Sequence, residues 1–428
     1  TLETIVVDLT PLLPGGENGG AKIFVLELLR RLAVLAPEVR FILLTQAGSH
    51  EELASMDSAN ISRCMVAGPS AANAVHSRME GFFRQFLPIL PDRVRRLILG
   101  SGYRISRILK RKGSGRLLRE LGADLLFCPF TAPTYAEPGI PAVCTVYDLQ
   151  YKTYPEFFKP EDAAQRDQTF VDACNRAAYL AAISNYSRQA AIRHGRLDPE
   201  RIRTIQLRMT GPGNQQTVRL RMTCGKRPQP VVSALLGLGR QDLIPDRYLL
   251  YPANFWKHKN HEMLFTAFGM ACDAGLGPDI KLVCTGAPGP RQKWLIQAAA
   301  AMGLGKRIVI PGFLPEKDFA VLLANARGLV FPSLYEGFGM PVIEAMAAGI
   351  PVACSNVTSL PEVAGDAAVL FDPRIPKEIA DAMAALVQES PERDRRIQAG
   401  YSRAAAFSDS DRMAREYWNL FLQALQWK

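Results

Sequence analysis

The chain has 428 residues, 48% of them hydrophobic and 21% charged, with a formal net charge of +10. That length exceeds one ordinary core and predicts two soluble globular domains. No run approaches eighteen apolar residues, and the eight cysteines form no CxxC pair, so neither a transmembrane helix nor a disulfide framework is expected.

The N-terminal "TIVVDLT" reads as a first strand rather than a signal peptide. A glycine-rich loop follows, with Gly15, Gly16, Gly19 and Gly20, then the helically spaced "AKIFVLELLRRLAVLA" and a second strand, "RFILLTQ". Strand, loop, helix and strand make one parallel unit with a right-handed crossover. The loop is neither GxGxxG nor a P-loop. Close backbone approach to a ligand and a plain flexible turn both fit it. Gly19 and Gly20 are its candidates for an acceptor or phosphate contact.

Between Arg78 and Arg119, twelve Lys/Arg residues stand against Glu80 and Asp92, a local net charge of +10 interleaved with apolar residues. An anionic membrane surface suits such a stretch. An ordinary helix with a solvated basic face fits the same pattern. No nucleic-acid motif accompanies it, and nucleic acid is not an expected partner. "ADLLFCPF", "AVCTVYD" and "AAYLAAISN" continue the strand series. Asp148, at the end of the second of these, can orient a sugar hydroxyl or simply cap the next segment. Cys128, Cys144, Cys284 and Cys354 sit in strand-like runs and read as buried, reduced thiols of a cytoplasmic protein.

A second series opens near Arg247, with "RYLLYPANF", "KLVCTGA", "RIVIPGF", "RGLVFPS", "PVACSN" and "AAVLFDP" alternating with helical segments. The expectation is an α/β protein of two doubly wound domains, 1–236 and 237–404, with an amphipathic helix in 405–428 returning to the first. Ligands of such sheets collect at the carboxyl ends of the strands. Two features of the second series belong there. "PANFWKHKNH" brings Lys257 and Lys259 before a helix with Asn260 as its expected cap, a place suited to phosphate charge. "PSLYEGFGMPVIEAMAAGIPV" puts Glu336 in a loop and Glu344 about one turn into a helix opened by Pro341 and closed by Gly349. The amides from Gly337 to Met340 form an anion site with an acid on each side, as a ligand with hydroxyls at both ends of a diphosphate requires.

Glu336, seven residues and Glu344 resemble the EX7E signature of the retaining GT-B glycosyltransferases of family 4. The resemblance runs through "KHKNHEMLFTAF" and "SLPEVAGDAAVLFDP", is specific over 248–373, and is looser over "VYDLQ" and "AAISNYSR". It implies two Rossmann-like domains facing a cleft, a nucleoside-diphosphate sugar as donor in the second, and a carbohydrate or lipid-linked acceptor in the first. A UDP-sugar is favoured over a GDP-sugar. By resemblance Glu344 holds the ribose, Glu336 lies by the donor sugar, and Lys259 meets the diphosphate. Asn254, Gly286, Gly337, Phe338, Gly339 and Met340 complete the donor site, and Glu336, Asp148 and Lys259 are the catalytic candidates. No essential metal or other cofactor is implied, and "DSD" at 409–411 reads as a helix cap. A peripheral place on the inner face of the membrane is expected through 78–119. Three departures stand out: Tyr147 where the family usually has histidine, Asn254 near a usual arginine, and 207–232, which does not match the usual interdomain passage. A catalytically weak binding or scaffold protein and a GT-B sugar-nucleotide epimerase are the rival readings.

Overall fold

The computed structural model describes residues 2–14, 19–67, 116–209 and 243–427. The basic stretch expected to meet a membrane therefore lies, as far as residue 115, outside the described residues, and so do Gly15, Gly16 and 210–232 of the unmatched passage.

The chain forms two compact units, Thr1–Gln206 with Ser410–Lys428, and Leu207–Asp409. The first holds β1 (Thr4–Asp8), α1 (Gly19–Leu35), β2 (Arg40–Gln46), β3 (Ile61–Ala67), β4 (Leu125–Cys128) and β5 (Ala142–Val146). It continues with α2 (Pro160–Arg176), β6 (Tyr179–Ala182), α3 (Asn185–Gly195) and β7 (Ile202–Thr204). Its sheet is parallel, in the order β3-β2-β1-β4-β5-β6-β7. Strands covered on both faces are built from continuous apolar runs, and β1, β4 and β5 are buried at every position.

The second unit runs β8 (Tyr248–Pro252), α4 (His261–Asp273), β9 (Lys281–Thr285), α5 (Pro290–Ala301), β10 (Ile308–Gly312), α6 (Glu316–Ala324) and β11 (Gly328–Phe331). It ends with α7 (Met340–Ala347), β12 (Val352–Ser355), α8 (Leu360–Ala364), β13 (Ala368–Phe371), α9 (Pro376–Val387) and α10 (Pro391–Ala405). The sheet is again parallel, in the order β10-β9-β8-β11-β12-β13. Strand order reverses between β8 and β11. That reversal opens a crevice at their carboxyl ends, because the following crossovers leave to opposite sides.

The last helix, α11 (Ser410–Leu425), belongs to the first unit. Met413, Ala414, Tyr417, Leu420, Phe421 and Ala424 form its buried stripe at helical spacing. Tyr417 packs against Phe24 and Phe127 at 6.3 and 5.5 Å between ring centroids, and its hydroxyl lies 3.1 Å from Thr145 Oγ1. Arg31 of α1 pairs with Asp411 at 2.8 Å. Among the described residues no helix is long and apolar enough to cross a membrane.

Candidate functional site

The reversal point of the second sheet is where the expected residues meet. β8 ends at Pro252, and the chain reaches Lys259 through a single 3-10 turn, Lys257–Lys259. β11 ends at Phe331 and leads through Pro332–Gly339 into α7. Lys259 Nζ donates to Glu336 Oε1 at 2.5 Å, and both side chains are 13% exposed. An ammonium has three donors, so this pair leaves Lys259 chemically able to meet further oxygens.

The two loops are fastened to each other by hydrogen bonds that fix this pair. The Tyr251 hydroxyl donates to Lys259 O at 2.7 Å and lies 3.0 Å from Ser333 Oγ. Leu334 N donates to His258 O at 2.8 Å. Asn260 is the N-cap of α4, as expected, but it sits at φ 62 and its side chain makes no cap bond; it donates to Pro332 O at 3.1 Å and Pro373 O at 2.8 Å. Asparagine tolerates the left-handed region, and here its amide satisfies two loop carbonyls that would otherwise be buried without donors.

Glu336 is held at its own backbone too. Its N–H donates to Thr358 Oγ1 at 3.1 Å. Ser359 Oγ lies 2.9 Å from Glu336 O and 2.8 Å from Phe338 O, so its single proton serves one or is shared by both. Phe338 is buried, and α7 begins at Met340 with Gly339 before it at φ 113. This backbone conformation favours glycine, and a Cβ here would stand 2.6 Å from Leu360 Cδ2, which would have to move aside. Pro341 sits in the first turn of α7, and Gly349 follows the helix at φ 70.

Glu344 lies in the middle of α7 and is half-buried. Burial, with Glu316 of α6 adding like charge, pushes its carboxyl up to about 7. Glu316 is the first residue of α6. His261 opens α4, fully buried, against Tyr251 and Phe255 at 4.9 and 5.0 Å between centroids, with neither ring nitrogen partnered among the described residues. Burial, then the Arg291 and Lys259 charges, lowers it to about 3.

Asn254 and Gly286 meet at the ends of β8 and β9. Asn254 Oδ1 accepts from Ala287 N at 2.8 Å. A Cβ on Gly286 would fall 2.5 Å from Ala253 O, so this glycine has a packing reason of its own.

The candidates of the first unit are placed separately. Gly19 and Gly20 are not loop residues: they form the start of α1, with Gly19 at φ 52 and open space where each Cβ would be. Asp148 Oδ1 accepts the Gln150 N–H at 3.0 Å, the local turn that its position after β5 allowed. Tyr147 packs edge-on against Phe24 at 6.1 Å and stacks on Phe130 at 6.5 Å. Its hydroxyl is buried without a hydrogen-bond partner among the described residues, and burial, helped by Tyr417, holds it well above the usual phenol range. Cys128, Cys144, Cys284 and Cys354 are buried free thiols.

The roles of Thr358, Ser359, Ser333 and Tyr251 carry no local sequence signal, because each binds the site loops through a partner far away in the chain. The family-like strings "PSLYEGFG" and "SLPEVAG" contain Ser333 and Ser359 without indicating these bonds.

Comparison with known proteins completes the description. The family profile "Glycosyltransferase Family 4" matches residues 18–207, and "Glycosyl transferases group 1" matches residues 242–403. O-antigen chain mannosyltransferase B of Escherichia coli is 29% identical over 267 residues, 62% of this chain and 66% of that protein. The serotype-specific mannosyltransferase WbdA of Escherichia coli is 33% identical over 188 residues, 43% of this chain. The match thus spans just under two thirds of the first of these relatives and 23% of the second. Among solved structures, HepE of Anabaena in complex with UDP-glucose superposes with a TM-score of 0.66 at 16% identity, over 98% of this chain and 99% of that one. That likeness is one of fold: α/β, GT-B, with two Rossmann-like units.

Proposed function

The chain belongs to the group 1 glycosyltransferases of family 4, and from that premise we propose that it is a retaining hexosyltransferase acting on a nucleoside-diphosphate sugar. The observation that carries this reading is the Lys259–Glu336 pair at the reversal point of the second sheet, beside a glycine loop that enters α7. Lysine and the first amides of a helix are suited to a diphosphate; a neighbouring carboxylate is suited to sugar hydroxyls. Glu344, one turn into α7, takes the ribose hydroxyls. Glu336 takes the transferred sugar and holds Lys259 in place.

As the bond from the anomeric carbon to the diphosphate oxygen breaks, negative charge gathers on the leaving group and positive charge on the sugar. Lys259 and the α7 N-terminus face the first, and Glu336 stands by the second. The acceptor hydroxyl adds from the face the leaving group vacates and gives its proton to the departing phosphate. Tyr147, in place of the family's usual histidine, carries a buried phenol held well above its ordinary range and brings no imidazolium charge.

The mannosyltransferase relatives support mannose as the hexose and a polysaccharide or lipid-linked glycan as acceptor. The UDP-glucose complex of HepE supports the expected UDP-sugar. The basic stretch of 78–119 is proposed to rest on an anionic membrane surface, where such an acceptor is found. No metal is required in this mechanism, and turnover should survive chelation.

The test is thermal stabilisation and transfer with a panel of UDP-, GDP- and ADP-sugars, in chelator, with lipid-linked oligosaccharide as acceptor. Stabilisation by one donor class with transfer supports the reading. Binding without transfer favours the scaffold alternative, and interconversion of the free sugar nucleotide favours the epimerase.

A further inference from the structure

The chain enters the second unit at Leu207 and leaves it after Asp409. Within that unit its entering and leaving segments are bound to each other. Met209 N donates to Phe407 O at 2.8 Å, and Arg208 Nη1 bonds Ala406 O at 2.5 Å. The Phe407 ring is 2% exposed and has two guanidinium groups close to it, Arg208 at 5.5 Å and Arg403 at 5.0 Å from its centroid. Two cations against one buried ring attract its π-system and help to hold it in place. Phe338, in the loop between Glu336 and α7, meets Phe407 in a T-shaped contact at 5.6 Å and 79°.

A second path joins the same two places. Arg403 Nε donates to Val363 O at 2.9 Å, and its Nη2 donates to Glu362 O. Both carbonyls belong to α8, which Ser359 immediately precedes. Ser359 in turn holds the carbonyls of Glu336 and Phe338. So Arg403 supports the loop through α8, and Phe407 supports it through Phe338.

We propose that Phe407 is a positioning residue for Glu336, coupling the paired entering and leaving segments of the second unit to the 336–339 loop. This rests on the reading of that loop as the donor site. It touches no substrate. Its effect is to fix the height of Phe338, and with it the carboxylate two residues earlier. A buried ring held by two guanidinium groups and in T-shaped contact with a second buried ring has few ways to shift without carrying its neighbour. Interface and core contacts of this kind move between discrete packings rather than deforming smoothly. Strain in the segments that join the units is therefore felt at Glu336.

The experiment is a double-mutant cycle in the full chain, Phe338→Leu, Phe407→Leu and both together, with Phe407→Tyr as the conservative variant. Readouts are kcat, donor KM, thermal midpoint and stabilisation by UDP-glucose and GDP-mannose. Each Leu variant is expected to lower kcat by about tenfold, the scale of a small misplacement of a reacting group, while donor KM changes by less than ~3-fold. The double variant should be no slower than the worse single, because both act through one contact. Phe407→Tyr should recover most of the rate. If Phe407→Leu loses thermal midpoint with kcat unchanged, or if the two effects multiply, the inference is overturned. Should Phe407→Leu fail to fold, Arg403→Met, which keeps the apolar stem, must give the same kcat loss or the inference falls. A wild-type protein stabilised by no sugar nucleotide overturns the donor-site reading itself, an outcome distinct from the others, and this inference with it.

Discussion

Glu336 and Glu344 differ in company more than in position. Glu336 has a cation at 2.5 Å, and Glu344 has burial and a second acid. The folded protein holds the Glu344 proton more tightly than the unfolded chain does. Its stabilising contribution is therefore full below the unfolded value of 4.5 and is lost as pH rises through about 7. Glu344→Gln should accordingly have a thermal midpoint at or above wild type at pH 8, with the advantage shrinking toward pH 5. Its donor KM should rise about tenfold, the scale of a hydrogen bond to a charged group, with kcat less affected. In the wild type the donor KM should also rise as pH drops below about 7, a dependence absent from the variant. A flat wild-type profile would count against a ribose contact at Glu344.

Lys259 and Lys257 give a second comparison, because Lys257 is exposed and Lys259 is paired. Lys259→Ala is expected to cost ~10²–10³ in kcat, as for the loss of a donor to a developing oxyanion, and Lys257→Ala very little. Removing Lys259 also leaves Glu336 half-enclosed without its cation. The midpoint should fall, and adding Glu336→Gln should restore part of it. Equal rates for the two lysine variants would refute the assignment.

His261 is a third case. Its folded value of about 3 lies below the ordinary 6.5, so the unfolded chain takes up a proton first as pH falls. Stability is full above 6.5 and drains as pH drops toward 3. His261→Phe, surrounded by the same aromatic rings, should lose less midpoint between pH 6.5 and 4 than wild type. Parallel acid-side profiles would show that His261 does not drive the loss.

At the scale of elements, much of the site was legible because local spacing reports local geometry. Pro341 and Gly349 bracket α7 as their backbone preferences require, and the eight-residue interval between the two acids places one before the helix and the other inside it. The two series of apolar runs foretold two parallel sheets for the same reason. What was not legible is set by distant partners. Asn260 reads as a helix cap and is one, but its side chain bonds carbonyls 72 and 113 positions away instead of the helix amides. Ser359 reaches back 23 positions to Glu336, and no periodicity encodes that. Gly19 and Gly20 read as loop because glycine pairs are common there, yet they start α1. The loop's dependence on one glycine gives an element-level prediction. Gly339→Ala forces a left-handed residue, costing ~1–2 kcal/mol before the Leu360 contact is counted. A midpoint loss of several degrees with a fall in kcat is expected. A variant with wild-type midpoint and rate would show that the loop tolerates another entry into α7.

At the scale of the molecule, the second unit is an insertion between α3–β7 and α11 of the first. A chain ending at Asp409 lacks the stripe that covers Phe24, Phe127 and Thr145. Limited proteolysis should then cut the first unit quickly while the second stays intact and is still stabilised by donor. Simultaneous loss of both would mean that the units depend on each other for folding.

That insertion also sets an order of events during synthesis. β7 leaves the ribosome about 200 residues before α11 begins, an interval of roughly 10–40 s at ~5–20 residues per second. Throughout it, the seven-stranded sheet waits without the α11 stripe that packs on Phe24 and Phe127, while the second unit, contiguous in the chain, can close at once. The unit begun first is finished last. Slow translation of the final helix, or a stop codon just before it, would therefore present a long-lived sticky surface to the cell, and holdase chaperones would be expected to bind the nascent first unit.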